Sequence, residues 1–175
     1  MASILKVNTI QDATNSNTAL TIDSSGNVHG AGLTLQTLEG FTYTRVTSTS
    51  ETFVDTGCSV AITPKFSTSK IFVAYNVTMR FGHTDGGRQA LFRKIDSGSY
   101  SNIITYSRHV IYQNHSNGSY YQGQFLSFSY VDSPNTTGVV TYSHATDAFG
   151  GATTEMNPNH SSGDTQTWQL MEIQA

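Results

Sequence analysis

The chain has 175 residues, a formal charge of −3 and only 12% charged residues, about half the share usual in globular proteins. Disorder is excluded, because disordered chains combine low hydrophobicity with high net charge, whereas 37% of these residues are hydrophobic and 11% aromatic. There is no basic excess to favour nucleic-acid binding, and no apolar run approaches the ~18 residues of a membrane span. The length suits one core domain with an appendage.

Residues 1–40 carry short apolar groups separated by polar turn sequences. Each group predicts a strand of three to five residues, and together they are too sparse to form a core. Two interpretations are open: a flexible linker, or an intertwined stem in which identical copies supply one another's missing partners. The recurring Leu and Ile residues favour the stem, because Gly/Ser linkers do not carry them. The start of the chain also lacks the continuous apolar segment of a secretory signal.

The clearest strand of the chain is predicted over residues 70–81. Its odd positions are all apolar and its even positions mostly small or polar, which is the two-residue period of a strand with one buried face. At ~3.3 Å per residue it would run ~40 Å and cross a whole sandwich. On its even face, Phe72 and Ala74 stand among polar residues. This mixture suits a subunit interface.

Residues 41–175 are predicted to form an all-β head. Further strands are expected near residues 54–62, 88–95, 103–113, 119–131, 138–145 and 165–174. Gly57 marks a bulge within the first of these, and residues 146–164 are expected to form a long loop. Seven or eight turn-separated strands without a helical stripe predict an antiparallel two-sheet sandwich of jelly-roll type.

No pattern of catalytic or metal-binding residues stands out. His83 with Asp85 is the nearest approach to a metal pair, but a polar turn explains it better. Asp147, Glu155 and Asp164 lack the clustered spacing of calcium loops. Carboxylates are too sparse for a glycosidase pair, and the single Cys58 excludes an internal disulfide. We therefore expect no metal, no cofactor and no enzymatic activity.

Tyrosines gather around residues 96–121, together with Arg and His. Such groups form stacking and hydrogen-bonding platforms for sugars or protein surfaces, although strand tyrosines also simply cover core edges. The receptor-binding candidates are Tyr100, Arg108, Tyr112, His115, Tyr120 and Tyr121.

Two stretches and the end of the chain resemble structural proteins of tailed bacteriophages, especially those of marine and cyanobacterial hosts. They are ILKVNTIQDATNSNTALTIDSSGNV, TSTSETFVDTGCSVAITPKFSTSKIFVAYNV and the final WQLMEIQA. The resemblance implies a virion component, assembled in the host cytoplasm: a short homotrimeric tail fibre, spike or head fibre. Residues 1–40 would dock on another virion protein of the tail, portal region or capsid, and the head would face the host surface, where a glycan or protein is the partner.

The docking candidates that follow from this resemblance are Ile4, Leu5, Val7, Ile10, Leu20 and Ile22. Two alternatives stay open beside the fibre or spike. One is a capsid decoration or head-fibre protein whose task is attachment to the shell. The other is a depolymerase acting on surface polysaccharide.

Overall fold

The computed structural model describes residues 7–11, 18–24, 26, 28–82, 86–106, 121–157 and 165–175. All regular elements of these residues are strands, which confirms the predicted all-β class. They are β1 (Thr9–Gln11), β2 (Thr18–Ile22), β3 (Val28–His29), β4 (Thr34–Thr42), β5 (Val46–Ser48), β6 (Val54–Ile62), β7 (Lys70–Gly82), β8 (Gln89–Ile95), β9 (Ser101–Tyr106), β10 (Tyr121–Asp132), β11 (Val140–Thr146), β12 (Thr153–Met156) and β13 (Gln166–Ile173). No helix in this part of the chain is long and apolar enough to cross a membrane.

Eight of the strands form an antiparallel sandwich. In one sheet β4, β13, β7 and β10 lie side by side, and in the other the order is β6, β11, β8, β9. The pairs are nested along the chain: β4 with β13, β6 with β11, β7 with β10, and β8 with β9. This is the jelly-roll arrangement, and the predicted sandwich is confirmed.

The strand β7 lies at the centre of the larger sheet. As its sequence predicts, every odd residue from Ile71 to Phe81 is buried, whereas the even residues from Phe72 to Arg80 are partly exposed. It pairs with β10 along nearly its whole length and with β13 up to Asn76. The alternation of its sequence therefore separates an inner, core-facing surface of this sheet from an outer one.

The short strands β5 and β12 extend the larger sheet. β12 pairs with β7 between Met79 and Gly82, beyond the last contact of β13, and β5 pairs with β12. The expected long loop over residues 146–164 is therefore interrupted by a strand. Its four residues, Thr153–Met156, are too few and too polar to show a two-residue period.

Tyr75 connects the two sheets. Its ring stacks on Trp168 at 4.7 Å and on Phe128 at 5.1 Å, both in its own sheet, and lies 5.6 Å from the ring of His144 in the other sheet. Aromatic contacts at these separations add to the stabilisation from the buried apolar area. The core is thus densest where the middle of β7 faces the middle of β11.

The predicted bulge in β6 is present at Gly57. This residue has a φ of 72°, a left-handed conformation that glycine adopts without a steric penalty. The register between β6 and β11 shifts beside it. Thr56 and Cys58, on either side of Gly57, both point into the core.

The first three strands form a sheet of their own, in the order β1, β2, β3. We refer to it as the N-terminal sheet. Its strands are no longer than five residues, in agreement with the sequence. The next strand differs from expectation, because β4 has nine residues, Thr34–Thr42, and pairs with β13 of the sandwich. The predicted boundary at residue 40 falls inside this strand.

The two faces of β7 give a direct test of the fold. Val77 is fully buried and its neighbour Thr78 points to the outer face. We expect Val77→Asp to prevent soluble folding, because an unpaired carboxylate in the core costs several kcal/mol. Thr78→Asp should leave a folded protein with cooperative thermal unfolding. Circular dichroism of both purified variants checks this, and a cooperatively folded Val77→Asp protein would contradict the assigned face.

Candidate functional site

One face of the N-terminal sheet is aliphatic. Its register places Ile10 opposite Leu20 and Ile22 opposite Val28, and directly opposed residues of antiparallel strands share a face. The other face carries polar side chains, since Thr9 lies opposite Thr21 and Thr21 opposite His29. The sheet is therefore amphipathic.

The aliphatic face is open to solvent. Ile10 is 49%, Ile22 38% and Val28 41% exposed, and Leu20 is partly exposed. Val7, just before β1, is also exposed. Three strands contribute aliphatic side chains to this exposed surface, and exposed apolar patches are candidate interaction sites.

The polar face anchors this sheet to the sandwich. His29 Nε2 lies 3.0 Å from the carboxylate of Asp23, and its Nδ1 lies 3.1 Å from the side-chain amide of Gln174. The backbone N–H of Gly30 donates to Gln174 Oε1 at 2.9 Å. The ring of His29 also packs on Phe66 at 4.7 Å. The orientation of the sheet, with its aliphatic face outward, is thus fixed by contacts to the body.

An open cleft of about 380 Å³ lies where the N-terminal sheet meets the sandwich. Val28, Leu33, Leu35 and Phe66 give it apolar walls, and Lys65 lies at its side. Gly30 permits the close approach here, since a Cβ at this position would lie 2.7 Å from Leu20 Cδ2. The cleft continues the aliphatic surface from Val28 onto the body.

The structure brings together three of the six docking candidates. Ile10, Leu20 and Ile22 share the aliphatic face. Val7 is exposed just before β1, and Ile4 and Leu5 lie outside the described residues. Sequence reasoning left Val28 and the cleft out of this group. The strand that holds Val28 has two residues, so only its register reveals the face it shares. Docking through these residues stays a prediction.

The tyrosine group is described only in part. Tyr100 lies between β8 and β9, where the Lys94 ammonium is 4.8 Å from the centre of its ring and the Phe92 ring is 6.3 Å away. Arg108, Tyr112, His115 and Tyr120 lie outside the described residues, and only the backbone of Tyr121 is described, as the first residue of β10. A receptor site formed by this group stays a prediction.

A second apolar surface covers the outer side of the larger sheet. We call it the outer face: the outward side chains of β4, β13, β7 and β10. Phe72 and Ala74, the predicted subunit-interface residues, lie partly exposed in its middle. Its margins are more open, because Phe41 on β4 is 68% exposed and, on β10, Phe125 is 65% and Val131 51% exposed.

Charged groups lie at one end of the outer face, where they pair with one another. The buried carboxylate of Glu155 accepts a hydrogen bond from Arg45 Nη2 at 2.7 Å and another from Arg80 Nε at 2.6 Å. Two cations around one carboxylate form a compact network at the edge of the sheet.

The titratable groups with shifted pKa values are interior ones. Burial lowers the pKa of His144 to about 3, and its Nε2 contacts only the side-chain oxygen of Gln89. Burial raises the pKa of the Cys58 thiol, with a smaller opposing effect of its contact to Thr56. Burial and the neighbouring Asp132 carboxylate raise the pKa of Tyr142. None of these groups is accessible to a substrate.

Two of the metal candidates of the sequence, Asp147 and Glu155, lie among the described residues, and both are paired with arginines. Asp147 accepts hydrogen bonds from Arg88, and Glu155 accepts hydrogen bonds from two arginines. His83, Asp85 and Asp164 lie outside the described residues. Within the described ranges, no three His, Cys, Asp or Glu side chains come close enough together to hold a metal ion.

Comparison with known proteins gives structural neighbours alone. No known protein family matches the sequence, and no curated protein is detectably similar to it. A mutant VP2 protein of infectious bursal disease virus, in derived T=1 particles, is similar at 14% identity with a TM-score of 0.37, over 90% of this chain and 40% of that chain. The structure of the Gx strain of the same virus is similar at 12% identity with a TM-score of 0.36, over 95% and 46% of the two chains.

The chain spans less than half the length of these viral proteins. TM-scores of this size are too low to assign a partner or an activity to the chain.

The neutral His144 makes stability depend on pH. Its pKa of about 3 in the folded protein lies below its ordinary 6.5, so the unfolded chain binds the extra proton between these values. The contribution of neutral His144 to the free energy of unfolding is complete above about pH 6.5 and is lost as the pH falls toward 3. At about pH 5 we expect a loss of about 2 kcal/mol from this group.

Urea unfolding at about pH 7 and about pH 5 measures this loss. The His144→Gln variant is the control, because its amide retains a donor for Gln89 but does not titrate. The wild-type protein should lose about 2 kcal/mol more than the variant between the two pH values. Equal losses would show that His144 is not the group responsible.

Proposed function

We propose that this chain is a non-enzymatic virion structural protein of a tailed phage: a short trimeric fibre or spike. It docks on another virion protein through the aliphatic face of its N-terminal sheet and directs its sandwich toward the host surface, where it binds a glycan or protein. The observation that carries this proposal is the exposed aliphatic face itself. The resemblance of the sequence to phage structural proteins supports the same role.

Covering the exposed aliphatic face with a partner is energetically favourable. A three-stranded sheet needs to bury its hydrophobic face to be stable, yet Ile10, Ile22 and Val28 of this sheet are exposed. Covering Ile10, Ile22 and Val28 with a partner would contribute roughly 1–2 kcal/mol each. An N-terminal sheet with this orientation is therefore suited to attachment.

The assignment as a structural protein agrees with the use of the buried carboxylates. Asp132 binds Arg93 Nη1 at 2.9 Å and Tyr142 Oη at 2.8 Å. Glu172 accepts the backbone N–H of Lys65 at 2.7 Å and the side-chain amide of Gln36 at 2.6 Å. Like Asp147 and Glu155, these carboxylates have structural partners. A depolymerase would need two carboxylates free to face a sugar bond.

The sandwich fold is compatible with this role but does not by itself identify it. Jelly rolls serve as viral capsid domains, lectins and cupins, and a fold alone does not determine function. The part of the proposal that concerns the host surface depends on the tyrosine group of residues 96–121.

Removing the aliphatic character of the N-terminal sheet should abolish attachment. The double variant Ile10→Thr/Ile22→Thr keeps β-branched side chains and thus strand propensity. We expect its copy number per particle to fall at least about tenfold. The matched control is Thr9→Ser/Thr21→Ser on the opposite face, which should be incorporated normally. Quantitative mass spectrometry of particles purified after complementation measures the copy number, and unchanged incorporation of the isoleucine variant would contradict docking through this face.

Antibody labelling of the same particles in electron micrographs distinguishes the sites of attachment. A fibre or spike is expected at the tail, whereas label over the shell indicates a capsid decoration or head fibre. Purified particles without this chain would contradict a virion role altogether.

A further inference from the structure

We infer that the outer face of the larger sheet lines the threefold axis of the trimer, with β10 of one copy packed on β4 and β13 of the next. This inference rests on the trimer of the proposed function. It names the surface through which the copies meet and the two strands that meet there.

The composition of the outer face favours another copy of the chain as its partner. The strand register aligns its outward residues in cross-strand rows. One row holds Thr37, Met171, Phe72 and Val131, the next Glu39, Gln169, Ala74 and Ser129, and the third Phe41, Thr167, Asn76 and Ser127. Glu39 is the one charged residue of these rows. A surface with so little charge can meet a copy of itself without like-charge repulsion, and depletion of charged residues is typical of interface cores.

The size of the face suits such a contact. Four strands at ~4.8 Å spacing are ~19 Å wide over the ~20 Å from Lys70 to Asn76, and β7 and β10 continue for ~13 Å to Arg80. Together these parts cover ~500 Å² in projection, of the same order as the ~600–1,000 Å² that each partner contributes to a stable interface.

The two margins of the face differ in shape. On β10, Phe125 and Val131 protrude into solvent. Over β4 and β13 lie two shallow hollows of about 210 Å³ each, one beside Phe41 and Thr167, the other beside Thr37 and Met171. Phe41 also projects at the β4 margin, so the two margins differ in the hollows beside it, which can receive the apolar side chains of β10 from a neighbouring copy.

A threefold arrangement requires such a difference. A twofold contact joins a patch to itself, whereas a closed ring of three joins two different patches on each copy. With the outer faces turned toward a common axis, Phe72 and Ala74 lie nearest to it and the two margins meet those of the neighbours. The Glu155 network and Lys70, at opposite ends of β7, then form the polar rim.

Cysteine cross-linking tests this arrangement. In a Cys58→Ala background we introduce Thr37→Cys and Val131→Cys, singly and together, and add a bis-maleimide with a spacer of about 8 Å. Within one chain the two positions are about 14 Å apart, three strand spacings, so the reagent cannot bridge them internally. We expect covalent dimers and trimers from the double variant and covalent dimers from a co-refolded mixture of the two single variants, but no cross-linked product from either single variant alone.

The outcomes separate the two proposals. A trimer by analytical ultracentrifugation that does not cross-link in the double variant would overturn this inference and leave the trimer in place. Dimers from a single-cysteine variant would show a twofold contact and also overturn it. A full-length chain that sediments as a monomer would remove the trimer from the proposed function and this inference with it.

A charged substitution at the β10 margin tests the same contact independently. Phe125→Asp should raise the trimer dissociation constant at least about tenfold, because it places a carboxylate in the contact without a cation to pair with. Val54→Asp, at an exposed position of the smaller sheet, is the matched control and should assemble normally. Equal trimer stability of the two variants in sedimentation equilibrium would contradict the inference.

Discussion

The aromatic contacts around Tyr75 are the interaction on which the rest of the structure depends. Tyr75 stacks on Trp168 within one sheet and reaches His144 of the other, so a single side chain holds together the strand at the centre of each sheet. Because interiors are close-packed, these rings also set the separation of the two layers. The position of every outward residue, including those on the outer face, follows from this inner packing.

Around that centre, each buried carboxylate has its own hydrogen-bond donors. Glu172 receives two donors at the connection between β6 and β7, and Asp132 binds Arg93 and Tyr142 where β10 ends. Asp147 and Glu155 are paired with arginines near the opposite end of β7. A buried carboxylate without such partners is strongly destabilising. With few charged residues in the chain, those at its interior positions are paired where strands connect.

The sequence predicted the elements whose pattern is local. The alternation of residues 70–81 identified β7 and its two faces, and the strand expected near residues 165–174 is β13. The glycine bulge in β6 was also recognised, since a positive φ is a property of the residue itself. These features need no knowledge of the partner strand.

What the sequence did not predict depends on register. β12 is too short for a period, and β4 continues past residue 40 because β13 pairs with it, not because its own composition changes. The docking candidates were identified as apolar positions, but their gathering on one face with Val28 follows from the pairing of three short strands. The outer face was anticipated at Phe72 and Ala74 alone, since its margins come from strands more than 80 residues apart.

The junction between the N-terminal sheet and the sandwich determines how a mechanical load would travel. Gly32 N–H donates to the carbonyl of Gln174, whose own N–H donates to Leu33 O, and β13 is flanked by β4 and β7. Ladder hydrogen bonds run perpendicular to the strands. A pull on the N-terminal sheet along β4 would therefore strain many of these bonds at once in shear rather than peel them apart one by one. The connection between the N-terminal sheet and the sandwich therefore resists such a pull with many hydrogen bonds of the larger sheet together.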